Sequence, residues 1–439
     1  MDSKKNSFFI NLNKKIDKNI VKVGIVGLGY VGLNLLYLFS KKKINVFGFD
    51  KDLKRINKIR NKISYLSDLE NKDLKYINSK NLFHTNSYKK ILDMDVIIIT
   101  VPTPLNKNKT PDLKAIEDVV NKIKKFLKIG QCIILESTVY PGATNKVIGN
   151  ILKKLNFRIG QNVFLSYSPE RISPGDLLSR KFNIHNVSKV VSGQSKECLI
   201  IASKLYKKIF NKIVKAGSLK EAEMSKLLEN VYRSVNISLV NEIKIICDKV
   251  GVNVHKVIDI ARTKPYGFRE FRPGPGIGGH CIPIDPFFLS WYAKKHNVSS
   301  KFIEHSGIIN KKVEDWIFNK IKKVRNQSKK KKFNVFFIGI TYKKNINDDR
   351  ESPAIDLIKS CFKNNMNVKY NDPYVKSIKV ENKKLKSTSL NRKIKNIDLA
   401  VLTTDHDIYN YKNIYKKFNK IIDTRGKYYK INDKKLIHA

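Results

Sequence analysis

The sequence predicts an α/β protein in which two doubly wound parallel-sheet domains are joined by a long central helix. Two observations predict the sheets. Short runs rich in Val, Ile and Phe alternate with helical segments from residue 21 onwards, and the same alternation restarts at residue 334. Such continuously apolar runs are typical of strands covered on both faces, as in parallel sheets. A third observation predicts the helix, because residues 218–250 contain neither Pro nor Gly and repeat apolar residues at helical spacing.

The first sheet is predicted from six apolar runs. They cover residues 23–27, 45–50, 96–101, 132–136, 163–166 and 189–192, and helical spacing follows the first of them over residues 29–40. A chain of 439 residues exceeds what one hydrophobic core usually organises. We therefore predict that these runs form a first domain, residues 1–212.

The central and last domains are predicted on either side of a polar, basic run. The helix that ends at Gly251 is better suited to bridging domains and building a dimer interface than to lying on a sheet. The run 326–332 predicts a linker or a solvated turn. These features predict a central domain, residues 213–325, and a smaller C-terminal domain, residues 326–439. The C-terminal elements are strands at 334–339, 367–370, 399–403 and 420–423 and a helix at 353–364.

The composition narrows the choice of partners and of cellular compartment. The net charge of +49 comes mostly from Lys spread along the whole chain without interleaved aromatic residues, so no nucleic-acid partner is expected. The positive electrostatic field of the chain nevertheless favours an anionic substrate. No apolar run reaches the ~18 residues of a membrane span, and the N-terminal run is too short for a signal peptide. Five cysteines without metal spacing indicate a reducing compartment, so we expect a cytoplasmic protein without a metal site.

A dinucleotide fingerprint follows the first strand. Gly27, Gly29 and Gly32 have the spacing of a loop that lets a pyrophosphate approach the start of a helix, and Tyr30 and Val31 lie between them. The context predicts a Rossmann-like NAD site, because Asp50 ends the next strand, where a carboxylate meets the adenosine ribose. The acidic residue favours NAD over NADP, with Arg55 nearby as a further cofactor contact. The alternative is a glycine turn without a ligand.

Two further strand ends are expected to face the same crevice, since ligands bind at the carboxyl ends of such strands. The hydroxyl groups of Thr103, Ser137 and Thr138 lie in these segments and are suited to hold nicotinamide, ribose or a catalytic water. Considered one at a time, they are equally well explained as ordinary turn or cap residues.

Cys281 lies in the loop Arg-Pro-Gly-Pro-Gly-Ile-Gly-Gly-His-Cys-Ile-Pro-Ile-Asp-Pro, residues 272–286. Glycines there remove side-chain bulk so that a ligand can approach, and prolines restrict the backbone. A thiol beside a nicotinamide permits a four-electron oxidation: an alcohol becomes an aldehyde, the thiolate adds to it, a second hydride leaves to give a thioester, and water releases the acid. The sequence therefore predicts this chemistry.

That route needs an oxyanion stabiliser and a group that activates water. Lys226 and Asn230 are spaced i and i+4 on the long helix and share one face, which suits the first task. Asp285 and Glu170 are candidates for the second. Alternatives remain, because Lys226 also fits a solvated surface position and Asp285 also fits a turn or cap.

Other reactive residue types are assigned structural roles. His280 has no partner histidine at metal spacing, so we interpret it as structural or substrate-orienting. Four cysteines lie in apolar strand or helix patterns and are predicted to be inert core thiols: Cys132, Cys198, Cys247 and Cys361.

Over residues 21–430 the chain resembles the UDP-glucose/GDP-mannose dehydrogenase family. The motifs that carry the resemblance are Gly-Leu-Gly-Tyr-Val-Gly at 27–32, Ser-Thr-Val-Tyr-Pro-Gly at 137–142, Ser-Pro-Glu-Arg at 168–171, Glu-Met-Ser-Lys-Leu-Leu-Glu-Asn at 223–230, Gly-Gly-His-Cys-Ile-Pro-Ile-Asp-Pro at 278–286, and Thr-Tyr-Lys-Lys-Asn at 341–345 followed by Asp-Asp-Arg-Glu-Ser at 348–352. The resemblance implies oxidation of a sugar C6 hydroxyl to a carboxylate with two NAD⁺, and a homodimer or higher homo-oligomer built on the central helix.

The resemblance also implies roles for individual residues. Cys281 would be the nucleophile, Lys226 and Asn230 would stabilise the oxyanion, Asp285 would assist proton transfer, and Thr138 with Glu170 would handle water. The C-terminal domain would hold the uridine diphosphate. The residues implied to contact the nucleotide-sugar are Glu170, Arg171, Lys226, Asn230, Arg272, Gly278, Lys343 and Arg350.

The motifs favour one substrate branch within this family. Pro174 stands where UDP-glucose enzymes usually carry a second Glu, and the motif around Cys281 looks like that of enzymes acting on UDP-N-acetylhexosamines. We therefore expect UDP-N-acetylglucosamine, oxidised to UDP-N-acetylglucosaminuronate for a surface polysaccharide. UDP-glucose, UDP-GalNAc and UDP-ManNAc are the alternatives. Two other classes stay open: a two-electron β-hydroxyacid dehydrogenase that does not need Cys281, and a nucleic-acid-binding protein with a vestigial cofactor fold.

Overall fold

Residues 7–66, 68–171, 186–279, 282–391 and 394–439 are described by the structure, a computed structural model. The chain divides into two units. Unit 1 comprises Met1–Glu229 and Phe287–His296, and unit 2 comprises Asn230–Pro286 and Asn297–Ala439.

Unit 1 is built on an eight-stranded sheet in the order β3-β2-β1-β4-β5-β6-β7-β8. Every neighbouring pair is parallel except β6 and β7, which are antiparallel. The predicted doubly wound fold is confirmed, with β7 and β8 both running opposite to the other six strands. The strands are β1 Lys22–Val26, β2 Asn45–Asp50, β3 Leu82–His84, β4 Val96–Ile99, β5 Cys132–Leu135, β6 Phe164–Tyr167, β7 Lys189–Gly193 and β8 Ile213–Lys215.

Helices cover both faces of this sheet, as its apolar strands require. The central strands are buried along their whole length, and α2 buries Leu36 and Phe39 in the same core. The helices of this part of the chain are α1 Ser7–Asp17, α2 Tyr30–Lys41, α3 Leu53–Arg60, α4 Lys114–Ile123, α5 Asn150–Lys154 and α6 Lys196–Lys207, and a π-helical turn, Asn145–Gly149, leads into α5.

The predicted central helix is confirmed as α7, Leu219–Lys249, which contributes residues to both units. Its part in unit 2 has an unusual distribution of polarity. Ser238 and Asn241 are buried and bond to the later helix α10, Lys301–Ser328, through Ser306 and Asn310. On the other side of α7, apolar side chains are exposed: Leu239, Ile243 and Ile246. The inner face of this helix is therefore polar and its outer face apolar.

Helix α10 overturns part of the linker prediction. The sequence predicts a linker or a solvated turn over 326–332, but the first three residues of this run complete α10, which ends at Ser328. The chain leaves the helix through Lys329 in the left-handed conformation, φ 53°. Arg325 secures the last turn by donating to the carbonyl oxygen of Asn364 at 2.6 Å. Two shorter helices precede α10 in the sequence: α8 Val254–Ala261 and α9 Asp285–Lys295.

Unit 2 contains a parallel five-stranded sheet in the order β10-β9-β13-β14-β15, with a separate β11–β12 hairpin. The strand order reverses between β9 and β13, which makes the carboxyl ends of these two strands the expected ligand position. The elements are β9 Asn334–Ile338, α11 Pro353–Lys363, β10 Asn367–Asn371, β11 Ser377–Val380, β12 Lys383–Lys386, β13 Leu399–Leu402, α12 Tyr411–Lys417, β14 Ile421–Asp423 and β15 Leu436–His438. The second Rossmann-like sheet is confirmed.

Among the residues that the structure describes, no helix is both long enough and apolar enough to cross a membrane.

Candidate active site

The glycine loop between β1 and α2 leaves room for a dinucleotide. Gly27 has a φ of +96°, and a Cβ at Gly32 would lie 1.9 Å from the carbonyl oxygen of Gly27, so both positions require glycine for the backbone itself. Gly29 differs, because a Cβ built there meets no atom within 4 Å. It is also the N-cap of α2 and provides no side-chain cap. The open space at a helix N-terminus fits the pyrophosphate of NAD.

Asp50 is held rigidly at the end of β2. Its Oδ2 accepts from the amide of Leu28 at 2.6 Å and its Oδ1 accepts from the amide of Asp52 at 2.8 Å. The Nη1 atom of Arg55 lies 3.6 Å from Oδ2. The carboxylate is therefore fixed beside the glycine loop, where it suits a ribose diol better than a 2′-phosphate.

The hydroxyl groups on the neighbouring strand ends differ in function. Thr103 Oγ1 donates to the carbonyl oxygen of Thr138 at 2.7 Å, and Ser137 Oγ donates to that of Val101 at 2.6 Å, so both groups tie loops together. Thr138, half-buried, makes no side-chain hydrogen bond to any residue in the described part of the chain. Of the three predicted hydroxyls, it has its hydrogen-bonding capacity left for a ligand or water.

Glu170 belongs to a buried charge network that sequence reasoning missed. Lys189 Nζ lies 2.7 Å from Glu136 Oε2 and 3.7 Å from Glu170 Oε2, and the Tyr206 hydroxyl donates to Glu136. The Glu170 carboxylate also accepts from the amide of Arg171 at 2.7 Å. Burial raises the pKa of Glu136 despite Lys189. Burial disfavours the charge of Lys189, but the two carboxylates offset it and raise the pKa of this lysine.

Arg171 is engaged inside unit 1. Its Nη2 lies 2.6 Å from Glu229 Oε1, and its Nη1 donates to the carbonyl oxygen of Ser188 at 3.0 Å. Arg171 therefore links the segment after β6 to the central helix, in addition to any contact with substrate.

Glu223, like Lys189, was not named as a candidate site residue from the sequence. Its carboxylate accepts from the amides of Gly142 and Thr144, the latter at 2.9 Å. Burial raises the pKa of Glu223, and those amides partly offset the effect. Because Glu223 lies one helical turn before Lys226, it fixes the start of α7 to the loop that carries Thr138.

Lys226 is buried, with 8% of its surface exposed. Among the residues that the structure describes, none forms a hydrogen bond or an ion pair with its ammonium group. The alternative of a solvated surface lysine is therefore wrong. A buried ammonium without a protein counter-charge is costly, so the site fits an anionic ligand or reaction intermediate.

Asn230 and Asp285 meet within unit 2. The Nδ2 atom of Asn230 donates to Asp285 Oδ2 at 2.5 Å, and Asp285, the first residue of α9, is buried. The structure thus brings together two of the predicted catalytic side chains. Cys281 and His280 lie outside the described residues.

The glycines before Cys281 are closely packed within unit 2. A Cβ at Gly278 would lie 2.5 Å from both the carbonyl oxygen of Glu351 and the Cβ of Tyr342, and a Cβ at Gly279 would lie 2.8 Å from the Tyr342 ring. A Cβ at Gly274 would lie 2.7 Å from Arg425 Nη1. At Gly274, Gly278 and Gly279, neighbouring parts of unit 2 leave no room for a side chain.

Arg272 and Arg350, both predicted to contact substrate, have acidic neighbours. Arg272 donates to Asp259 and Glu270, each at 2.5 Å, and these hydrogen bonds oppose desolvation and raise its pKa. Arg350 makes a bidentate contact with the carboxylate of Asp348, in which Nε donates to Oδ1 at 2.9 Å and Nη2 donates to Oδ2 at 2.7 Å. Lys343 lies half-buried in the segment after β9.

The four cysteines predicted to be inert are buried free thiols, as expected. Burial raises the pKa values of Cys132 and Cys198, and it raises the pKa of Cys361 to about 12. The thiols of Cys132, Cys198 and Cys361 are therefore protonated at neutral pH and are poor nucleophiles.

The glycine loop, the fixed Asp50 and the second Rossmann-like sheet define an NAD-dependent dehydrogenase with a separate nucleotide-binding domain. Comparison with known families gives the same result. Residues 21–210, 220–312 and 336–430 match, in order, the NAD binding, central and UDP binding domains of the UDP-glucose/GDP-mannose dehydrogenase family. The chain belongs to this family and is an NAD-dependent UDP-sugar dehydrogenase.

Individual relatives differ in the sugar that they are named for. A UDP-N-acetyl-D-glucosamine 6-dehydrogenase of Pseudomonas aeruginosa is 35% identical, over 81% of this chain and 83% of the relative. A UDP-N-acetyl-D-mannosamine dehydrogenase of Methanococcus vannielii is 36% identical, over 93% of this chain and 90% of the relative. The structure of a UDP-D-ManNAc dehydrogenase from Pyrococcus horikoshii aligns with a TM-score of 0.81 at 28% identity, covering 92% of this chain and 95% of that one.

Proposed function

We propose that the protein oxidises the C6 hydroxyl of UDP-N-acetylglucosamine to the carboxylate in two two-electron steps. NAD⁺, when bound by the Gly27–Gly32 loop and Asp50, accepts a hydride in each step. After the first, the Cys281 thiolate adds to the aldehyde carbon to give a thiohemiacetal. Loss of the second hydride leaves a thioester, and water cleaves its C–S bond to return the thiol and release UDP-N-acetylglucosaminuronate.

The remaining proposed catalytic residues act on charge and protons. Lys226 and Asn230 stabilise the oxygen that becomes negative when sulfur adds to the aldehyde. Asp285, buried and bonded to Asn230, assists proton transfer. Thr138 and Glu170 position and activate the water that cleaves the thioester.

The observation that carries this proposal is the environment of Lys226. Its ammonium is buried, and no carboxylate in the described part of the chain neutralises it. A transient oxyanion would supply the missing counter-charge only as the reaction proceeds. The ammonium would then bind the transition state more strongly than the substrate, and such an interaction lowers the activation barrier.

The identity of the sugar rests on sequence motifs. Pro174, in place of a second Glu, and the motif around Cys281 support a UDP-N-acetylhexosamine. The relatives named for the gluco and manno epimers have similar identities to this chain, 35% and 36%. UDP-ManNAc is therefore the second candidate, favoured by the Pyrococcus horikoshii structure.

We expect kcat/KM for UDP-GlcNAc to exceed that for UDP-ManNAc, UDP-GalNAc and UDP-glucose by about 10-fold or more. UDP-ManNAc has its C2 acetamido group in the opposite orientation, UDP-GalNAc has its C4 hydroxyl in the opposite orientation, and UDP-glucose lacks the acetamido group, so each would leave polar groups of the site unpaired. The measurement is NADH formation with each UDP-sugar, together with NADH yield at limiting substrate. Two NADH per UDP-GlcNAc support the proposal. A higher kcat/KM for UDP-ManNAc would transfer the assignment to the manno epimer.

We also propose a homodimer in which the outer face of α7 packs against a second copy of the chain. The exposed side chains of Leu239, Ile243 and Ile246 lie on one face of a helix whose inner face is polar. An apolar outer face on an otherwise strongly basic surface is typical of an interface that is covered in the assembled protein. A second copy would bury these residues by two-fold symmetry.

The paired substitution Leu239→Glu and Ile246→Glu is expected to raise the dimer dissociation constant by at least ~100-fold, because each buried aliphatic side chain contributes about 1.5–3 kcal/mol. Sedimentation velocity over a concentration series measures it. Leu53→Glu, at an equally exposed leucine of α3, is the matched control and should leave the dimer intact. Dimers of unchanged affinity in the paired variant would place the interface elsewhere.

The proposed arrangement assigns cofactor binding to residues 1–212, the catalytic helix and cysteine loop to 213–325, and UDP-sugar binding to 326–439. Each family match falls within one of these ranges. We propose a cytoplasmic enzyme, which the four buried free thiols support, and a UDP-linked uronate product that supplies surface polysaccharide synthesis.

A further inference from the structure

We propose that His406 is a positioning residue for the nucleotide-sugar, because it holds in place the segment Thr341–Asn345, hereafter the substrate loop. The inference rests on the proposed contact between Lys343 and the UDP-sugar. His406 lies in the segment after β13, on the other side of the point where the strand order reverses. It was not among the residues singled out from the sequence.

The two Rossmann-like sheets share a detailed pattern of hydrogen bonds at this point. After β1, Gly27 donates to the carbonyl oxygen of Phe49, and Leu28 donates to Asp50. After β9, Gly339 donates to the carbonyl oxygen of Asn371, and Ile340 donates to Asp372 at 2.7 Å. The threonines Thr100 and Thr403 complete the equivalence, because each donates its hydroxyl to the carbonyl oxygen of the loop glycine in its own sheet.

The equivalence ends where the cofactor would bind. Counting from Gly27 and Gly339, the position of Gly29 is occupied by Thr341 and that of Gly32 by Lys344. A Cβ at Gly339 would lie 2.4 Å from the carbonyl oxygen of Thr404, and the Thr404 hydroxyl donates to the carbonyl oxygen of Thr341. The crevice that accepts a dinucleotide in the first sheet is thus filled by protein in the second. The second domain can present ligand contacts from its loops but not from a glycine-lined crevice.

His406 joins the substrate loop to the sheet. The amide of Asn345 donates to Nδ1 of His406 at 2.9 Å, so the ring proton lies on Nε2. Nε2 is 3.0 Å from Asp372 Oδ2 and 3.4 Å from the hydroxyl oxygen of Thr341 at the start of the substrate loop. The ring is fully buried, with the rings of Tyr374 and Tyr409 centred 5.0 and 5.3 Å away. The hydrogen bonds and the neighbouring rings together fix the orientation of the imidazole.

The partners of His406 are themselves fixed. Asp372 accepts from the amides of Ile340, Tyr374 and Val375 as well as from His406. Burial works to raise the pKa of Asp372, but these hydrogen bonds outweigh it and lower the pKa. Asp372 stays ionised and anchors the Nε2 proton, which leaves Nδ1 available to accept from the loop.

The end of the substrate loop needs such an anchor. Asn345 has a φ of 63°, in the left-handed region, and its second attachment is a surface pair with Asp407, 2.6 Å from its Nδ2 atom. A surface hydrogen bond competes with water, whereas the bond to His406 is buried. Without it, the loop would have to be ordered when the ligand binds, and that entropy would be lost from affinity.

Two substitutions separate the functions of the two ring nitrogens. Asparagine places an acceptor near the position of Nδ1, so His406→Asn keeps the contact with the Asn345 amide. Glutamine places a donor near Nε2, so His406→Gln keeps the contacts with Asp372 and with the Thr341 hydroxyl but loses the contact with the Asn345 amide. The inference predicts that the Kd for UDP rises at least 10-fold in His406→Gln and less than 3-fold in His406→Asn. The KM for NAD should stay within 2-fold of native in both.

The experiment is isothermal titration of UDP into native protein and both variants, with hydrogen exchange of residues 341–345 and thermal unfolding alongside. Faster exchange and weaker UDP binding confined to His406→Gln support the proposal. Unchanged UDP binding in both variants, or equal weakening in both, overturns it. If native protein fails to bind UDP, the proposed UDP-sugar function fails with it. Exchange that is unchanged in His406→Gln would overturn the loop anchor whatever the ligand is.

Discussion

Replacing Cys281 by Ser is expected to reduce acid formation at least ~10³-fold and to limit the yield to at most one NADH per UDP-sugar. The first oxidation requires no sulfur, because an alcohol already carries the hydride that leaves. The aldehyde must regain a tetrahedral carbon before it can lose a second hydride, and a serine hydroxyl is a far weaker nucleophile than a thiolate at neutral pH.

NADH yield at limiting substrate, followed by absorbance, separates this result from a general loss of activity. Cys247→Ser is the matched control, because Cys247 is a buried free thiol on α7 and should keep a yield of two NADH. Two NADH from Cys281→Ser at a rate within 10-fold of native would contradict the covalent route. One NADH from both native protein and Cys281→Ser, at similar rates, would instead identify a two-electron dehydrogenase.

The parts of the fold that the sequence predicts well are those in which local pattern and burial agree. The strand β1, the loop Gly27–Gly32 and the helix α2 were predicted to within two residues, because buried strands and a conformationally demanding loop leave few alternatives. The three-residue strands β3 and β8 show no pattern of their own and form only by pairing with β2 and β7. The end of α10 was missed because its last turn is polar and is secured by Asn364.

The candidate site was predictable where its residues lie in recognisable sequence motifs. Asp285 and Asn230 were named separately and are in contact. Lys189 was not named, because a lysine at the start of a strand in a lysine-rich chain carries no local sign of burial. Its function is apparent only when Glu136 and Glu170, distant in sequence, are seen to converge on it. The close packing of the loop glycines before Cys281 could not be predicted for the same reason, since their neighbours come from distant segments.

Lys189→Met is expected to lower the free energy of unfolding by about 3–5 kcal/mol, because it leaves two buried carboxylates without their shared ammonium. Glu136 is nearly inaccessible to solvent, and water cannot replace Lys189 beside it. The measurement is urea unfolding at pH 7. Lys204→Met, which removes a surface ion pair with Asp17, is the matched control and should cost no more than ~1 kcal/mol.

The loss in Lys189→Met should grow as the pH rises. The pKa of Glu136 is raised above its usual 4.5, so its stabilising contribution is present below pH 4.5 and is lost as the pH rises through the folded-state pKa. Removing Lys189 takes away a group that lowers this pKa and enlarges the loss. The pKa of Lys189 is raised above 10.5, so in native protein its charge persists throughout the neutral range. The two proteins should therefore differ least near pH 4 and most near pH 8.

The double substitution Lys189→Met with Glu136→Gln distinguishes charge imbalance from lost packing. Removing one carboxylate with the ammonium should recover at least half of the stability lost at pH 7, because a single buried carboxylate remains.

If Glu170 activates water, Lys189→Met should also slow hydrolysis of the thioester at least ~10-fold, so that an acyl adduct on Cys281 accumulates and is detected by mass spectrometry. No recovery in the double variant would assign Lys189 to packing alone. If Lys189→Met has native stability and accumulates no adduct, the network of Lys189, Glu136 and Glu170 contributes neither to folding nor to catalysis.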